Sequence, residues 1–123
     1  MNREIKFRGK KIDNNEWVYG GYFSSSEEEQ LVHYIFCSIN GAEPVMSETI
    51  GQFTGVKNVF QEEIWEGDIL EFPFEMGIAY VINDGFRFAV KSPGSEAVDY
   101  EGEEVLKYTS TIGNIYDNTN LLT

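Results

Sequence analysis

The chain has 123 residues, enough for one hydrophobic core and too few for two sizeable ones. Its 41% apolar content suits a packed interior, whereas its formal charge of −12 repels DNA and RNA phosphates over a Debye length of about 8–10 Å. A single cysteine, Cys37, excludes an intrachain disulfide. No apolar run approaches the ~20 residues that cross a bilayer, and Met1–Phe7 lacks the apolar stretch of a signal peptide. The expectation is a cytoplasmic protein that contacts neither membrane nor, directly, nucleic acid. Nine Phe and seven Tyr, with twelve Gly and only three Pro, lean toward strands joined by tight turns.

In chain order, Glu4-Ile5-Lys6-Phe7-Arg8 alternates charged and apolar residues as a half-buried strand does. A polar turn over Gly9–Asn15 leads to a second strand, Trp17–Phe23, whose paired glycines Gly20 and Gly21 signal a bulge or bend. Ser24–Glu29 carries a helix capping-box signal. The run that follows, Leu31–Ile39, is β-branched and aromatic with almost no polar face, so a hairpin is preferred, with the Ser/Glu stretch as its solvated loop. Asn40-Gly41 is a turn dipeptide, and Thr49–Gly55 reads as a short strand. A polar turn through Gln61–Asp68 precedes strands at Ile69–Phe72, Ile78–Ile82 and Phe86–Val90, the last two joined by Asn83-Asp84-Gly85. Residues 92–104 read as an acidic loop, and Val105–Tyr108 and Thr111–Tyr116 as the final strands. Short strands at this spacing predict a mainly β, barrel-like or sandwich domain covering residues 1–123.

The charge is unevenly placed. Residues 1–11 hold Arg3, Lys6, Arg8, Lys10 and Lys11 against Glu4, while the rest of the chain holds four basic and twenty acidic side chains. A negative surface of this kind ordinarily serves solubility.

The inventory for catalysis is thin. His33 and Cys37 are the one His and the one Cys, and on a strand they share a face but sit roughly 13 Å apart, too far for proton transfer. There is no Gly-x-Ser-x-Gly and no Walker-type phosphate loop. Two His/Cys residues cannot complete a tetrahedral zinc site. Carboxylates are dense at Glu62, Glu63, Glu66 and Asp68 and again at Glu101, Glu103 and Glu104, without the spacing of an EF-hand. Trp17, Trp65 and Phe74 lie among acids and suit either a core or a protein-binding surface, and in a chain of this length most of them are expected to be buried. No residue is assigned a catalytic, cofactor-binding or metal-binding role, and no cofactor is expected.

Four segments in order carry a family resemblance: Arg3–Lys10 with Glu16–Gly20; Glu48–Gly55; Ile64-Trp65-Glu66-Gly67-Asp68-Ile69-Leu70; and Ile112-Gly113-Asn114-Ile115-Tyr116-Asp117-Asn118, ending at Leu121-Leu122. Together they resemble the YopX family of phages and prophages. The resemblance implies a single small domain in which a bifurcated sheet folds into a pseudo-barrel, with at most one or two short helices. It also implies a phage or prophage gene, and it supplies no catalytic residues. After Gly55 the chain departs from the family, reading Val56–Gln61 where relatives carry a lysine- and glycine-containing turn.

The signature also has a physical reading. Gly67 suits a positive φ, Asp68 suits capping of nearby amides, and Gly113 is small enough to lie beneath an aromatic ring. On that reading the signature specifies fold. The leading functional expectation is a non-enzymatic accessory protein that binds another protein, DNA mimicry by its carboxylates being one form. Self-association into an assembly and a metal-dependent enzyme built on clustered carboxylates are the alternatives.

Overall fold

The computed structural model describes residues 4–38, 41–85, 87–95 and 103–122, and almost all of their regular structure is β. The chain divides into two compact units, Met1–Phe53 and Thr54–Thr123.

In the first unit, β1 (Phe7–Lys10) pairs antiparallel with β2 (Trp17–Glu27) in the register Phe7↔Gly20 to Lys10↔Trp17. Strand β2 forms a long hairpin with β3 (Gln30–Ser38), and β4 (Gly41–Val45) adds to the far side of β3. The serines expected in a loop are strand residues: Ser24, Ser25 and Ser26 pair with His33, Val32 and Leu31. Only Glu28 and Glu29 form the turn, both at positive φ (48° and 67°), as a two-residue hairpin loop requires. The β-branched and aromatic content of β3 decides this. A neighbouring strand there satisfies the serine backbone groups residue by residue, which one helical turn could not.

A 3-10 turn at Ser47–Thr49 follows, pinned by the buried Thr49, whose hydroxyl accepts from Lys10 N at 2.9 Å and donates to Met46 O at 2.7 Å. Strand β5 (Gly51–Lys57) then begins beside β1, with Arg8↔Gly51 and Phe7↔Gln52 in register. Its far half is hydrogen-bonded to β6 (Glu63–Trp65) in the second unit.

The second unit holds a four-stranded antiparallel sheet in the order β10-β7-β8-β9, built from β7 (Asp68–Phe72), β8 (Gly77–Asn83), β9 (Phe88–Lys91) and β10 (Ser110–Asn114). The turn between β8 and β9 lies where the sequence places it. Asn83 Oδ1 accepts from Gly85 N, Asp84 Oδ1 accepts from Arg87 N, and Gly85 takes φ 101°. The core joins Val56, Ile64, Leu70, Ala79, Val81, Val90 and Leu106, flanked by Phe72 and Phe88.

The mainly β expectation therefore holds. The strands form two antiparallel sheets, with no closed barrel among the described residues. Helical structure there consists of one short α-helix, α1 (Glu103–Leu106), and the 3-10 turns at Ser47–Thr49 and Thr119–Leu122.

Helix α1 corrects the strand expected at Val105–Tyr108. A strand would put Leu106 and Tyr108 on one face. The helical turn instead buries Leu106, at 6% exposure, in the core while Tyr108 stays 63% exposed. Tyr108 N and Thr109 N donate to Val105 O and Leu106 O, and the Thr109 hydroxyl also donates to Leu106 O at 2.8 Å, closing the turn. Tertiary packing of one leucine overrides the local β propensity. Of the loop expected at 92–104, residues 96–102 lie outside the described residues.

Candidate functional site

The residues of the family-like signature serve the fold. Gly67 sits at φ 94°, and a Cβ there would meet the Tyr116 ring at 3.0 Å. Gly67 N donates to Val81 O, and Gly67 O accepts from Ile115 N. Asp68 is 3% exposed and its Oδ2 accepts from Trp65 N at 2.8 Å, the capping role its sequence position suggests. Asn114 Oδ1 accepts from Tyr116 N and Asp117 N, while Asn118 Oδ1 accepts from Asn114 N. The aromatic ring lies against Gly67, so the expectation for Gly113 is corrected: a Cβ there would strike Asn118 Oδ1 at 2.5 Å. The two signature segments thus lock the β6–β7 turn to the end of β10.

His33 and Cys37 both lie on β3 and have separate partners. His33 Nδ1 is 2.7 Å from the Tyr22 hydroxyl, and the two rings stack at 5.8 Å. The Cys37 thiol approaches Ile35 O and Gly41 O, beside the bulge between Phe36 and Ser38. Trp65 is buried, Trp17 is half-buried beneath the Arg8 guanidinium at 4.4 Å, and Phe74 is 92% exposed. Among the acids, Glu62 accepts from the Asn58 amide and Asp68 caps Trp65. Among the described residues no three His, Cys, Asp or Glu side chains come together as a possible metal site.

On the β2–β3 hairpin the ionisation of Tyr34 is displaced. The Tyr34 hydroxyl donates to Glu27 Oε2 at 2.6 Å, and this bond above all, with desolvation and the carboxylate charge behind it, raises the phenol above its ordinary pKa. A raised value means that the pair's contribution is present below the ordinary phenol range and is lost as pH rises through the displaced pKa. Ultraviolet titration of Glu27→Gln is expected to bring one tyrosine back toward ordinary ionisation, and a titration identical to the parent chain would refute the assignment.

The feature that sequence reading misses is a groove. It has a volume of about 650 Å³ within the second unit and is lined by Val59, Phe72, Pro73, Phe74, Met76, Glu104, Val105 and Tyr108. Two local structures build it. Helix α1 turns Leu106 inward, which leaves Val105 and Tyr108, three apart, on the outer side. The β7–β8 turn supplies the other wall. Met76 N donates to Pro73 O, and Phe74 and Glu75 both take left-handed φ, 61° and 59°. A left-handed conformation costs a residue with a Cβ about 1–2 kcal/mol, and it is most unusual for an aromatic one. Here it holds Phe74 out in solvent.

Asn-Gly is the pair such a turn prefers. The double change Phe74→Asn, Glu75→Gly is expected to stabilise the fold by about 1 kcal/mol, read as a Tm rise of about 3–6 °C. A fall in Tm would mean that Phe74 contributes packing that its exposure conceals.

A small mainly β protein with an open apolar groove is defined as a class by its fold rather than by its chemistry. The YopX protein family matches residues 6–123, and the chain belongs to that family. Among solved structures, the crystal structure of protein EF1440 from Enterococcus faecalis is similar, with a TM-score of 0.62 over 99% of this chain and 100% of that one. At 21% identity the likeness is one of fold alone. No curated protein matches the sequence. Among the described residues no helix is long and apolar enough to cross a membrane.

Proposed function

We propose that this chain is a non-enzymatic binding module, a phage or prophage accessory protein working in the cytoplasm, whose groove receives part of another protein. Phe74 carries the reading: a large apolar side chain held 92% exposed, in a costly backbone conformation, at the rim of an apolar groove. Strain of this kind, kept at an exposed position, is typical of functional surfaces. Met76, 72% exposed, and Tyr108 extend the same apolar surface. Residues of these types form the energetic centres of protein interfaces.

The test is selection of a displayed random peptide library on the intact chain. Binders are expected whose affinity falls at least about tenfold, the size of a hot-spot loss, when Val105 and Tyr108 are both changed to Ser. A library that yields no binder sensitive to those changes sinks the reading.

A second reading, self-association, draws on another surface. Tyr19, Phe23 and Phe36 lie on one face of the β2–β3 hairpin, each at least 43% exposed, and Phe23 stacks on Tyr34 at 5.1 Å. Light scattering across a range of concentration decides it: a discrete oligomer supports this reading, and a constant monomer removes it.

A further inference from the structure

We infer that the groove takes a cationic segment of a different protein, one that sets an apolar anchor beside a Lys or Arg. The inference rests on the groove reading above and names the chemistry of its occupant.

A second concavity, about 480 Å³, adjoins the groove and is lined by Glu71, Phe72, Pro73, Phe74, Glu75 and Gly77. The Phe72-Pro73-Phe74 wall is common to both. One side of that wall is apolar, and the other carries two exposed carboxylates. Neither Glu71 nor Glu75 makes an ion pair among the described residues, whereas Glu104, on the groove's far side, is already joined to Lys107 at 3.1 Å. An incoming chain that buries an apolar side chain against Phe72 and Phe74 therefore has its neighbouring residues beside the two carboxylates. A Lys or Arg there gains attraction that a neutral or acidic residue does not.

Charge also argues against a second copy of this chain as the occupant. Two molecules at −12 repel. The basic segment near the N-terminus does little to offset this, because it is largely committed: Lys6 pairs with Glu4, Lys11 with Glu43, and Arg8 is 5% exposed against Trp17.

The experiment compares two selections from the same displayed library of random twelve-residue peptides, one on the parent chain and one on Glu71→Gln, Glu75→Gln. The parent is expected to enrich peptides with Leu, Phe or Trp next to Lys or Arg, and the variant to keep the apolar preference while losing the basic one. Synthetic peptides from the parent selection, followed by fluorescence anisotropy, are expected to bind the variant about five- to tenfold more weakly, the effect of two exposed charge pairs. They are also expected to weaken as salt rises to about 0.5 M.

Neutral or acidic consensus peptides, or equal affinity for parent and variant, would overturn the inference while leaving the groove reading intact. Absence of any groove-dependent binder would overturn both. A concentration-dependent dimer that Val105→Ser, Tyr108→Ser dissociates would replace the inference with self-association.

Discussion

Gly20→Ala is expected to destabilise the fold by about 3–5 kcal/mol, a large part of the stability of a domain of this size. A Cβ at Gly20 would lie 2.0 Å from Phe36 O, 2.9 Å from Phe36 C and 3.2 Å from Cys37 Cα. All three are backbone atoms, so no rotamer relieves the clash, and the Gly20 φ of 153° also disfavours a side chain. The close approach falls beside the register shift between Phe36 and Ser38 in the β3–β4 pairing. Relief requires β2 and β3 to part, and β2 is already held on its other side by the Phe7↔Gly20 pairing. The control is next door. A Cβ at Gly21 would meet nothing within 4 Å, so Gly21→Ala is expected to change stability by less than about 1 kcal/mol. Thermal denaturation of the two variants checks this, and similar Tm values for both would contradict it. For Gly20→Ala the expected fall is about 10–25 °C.

Asn58→Leu is expected to cost a similar amount, about 3–5 kcal/mol, through hydrogen bonding rather than space. Asn58 is 1% exposed. Its Oδ1 accepts from Phe60 N at 2.9 Å and Glu62 N at 3.1 Å, and its Nδ2 donates to Glu62 Oε1 at 3.0 Å and Thr111 Oγ1 at 2.9 Å. Two backbone donors fix which side-chain atom is the oxygen. The turn from β5 to β6 is thus built around one amide, which also ties it to β10. Leucine matches the volume and satisfies none of the four partners.

Asn58→Asp separates the halves of this network. The acceptor survives for the two amides, while the donor is lost and a carboxylate is placed against Glu62. Burial and the like charge raise the folded-state pKa of that carboxyl above its unfolded value. Its ionised form therefore destabilises the fold at neutral pH, and stability recovers as pH falls through the raised pKa. Chemical denaturation at pH 7 and pH 5 is expected to show this variant gaining on the parent chain at the lower pH. The same deficit at both values would refute the account.

These two residues mark where sequence reading stops. Gly20 was legible as a bend signal, but the carbonyl it accommodates is sixteen positions away on the next strand. Asn58 lay unremarked in a stretch notable only for departing from the family, because what it bonds at Thr111 is 53 residues distant. The groove was invisible for the same reason. Its walls come from Val59, from the β7–β8 turn and from α1, and α1 reads locally as a strand. Phe74 stood out in the sequence as an aromatic among acids; the chain length favours burial for most such residues, which Trp65 follows and Phe74, 92% exposed, does not.

The sequence by itself determined the β character of this protein, most of its turns, its acidity and its family, because alternation, turn residues and contiguous motifs are encoded over a few neighbouring positions. It also placed Asp68 as a cap and Gly67 at positive φ, since both roles are played within one turn. Tertiary structure alone decided that Leu106 is drawn inward on a helical turn, that Tyr116 covers Gly67 rather than Gly113, and that Phe74 is left outside a groove. Each depends on which distant segments meet, and burial of one side chain or closure of one buried hydrogen bond there outweighs the fraction of a kilocalorie by which local propensities differ.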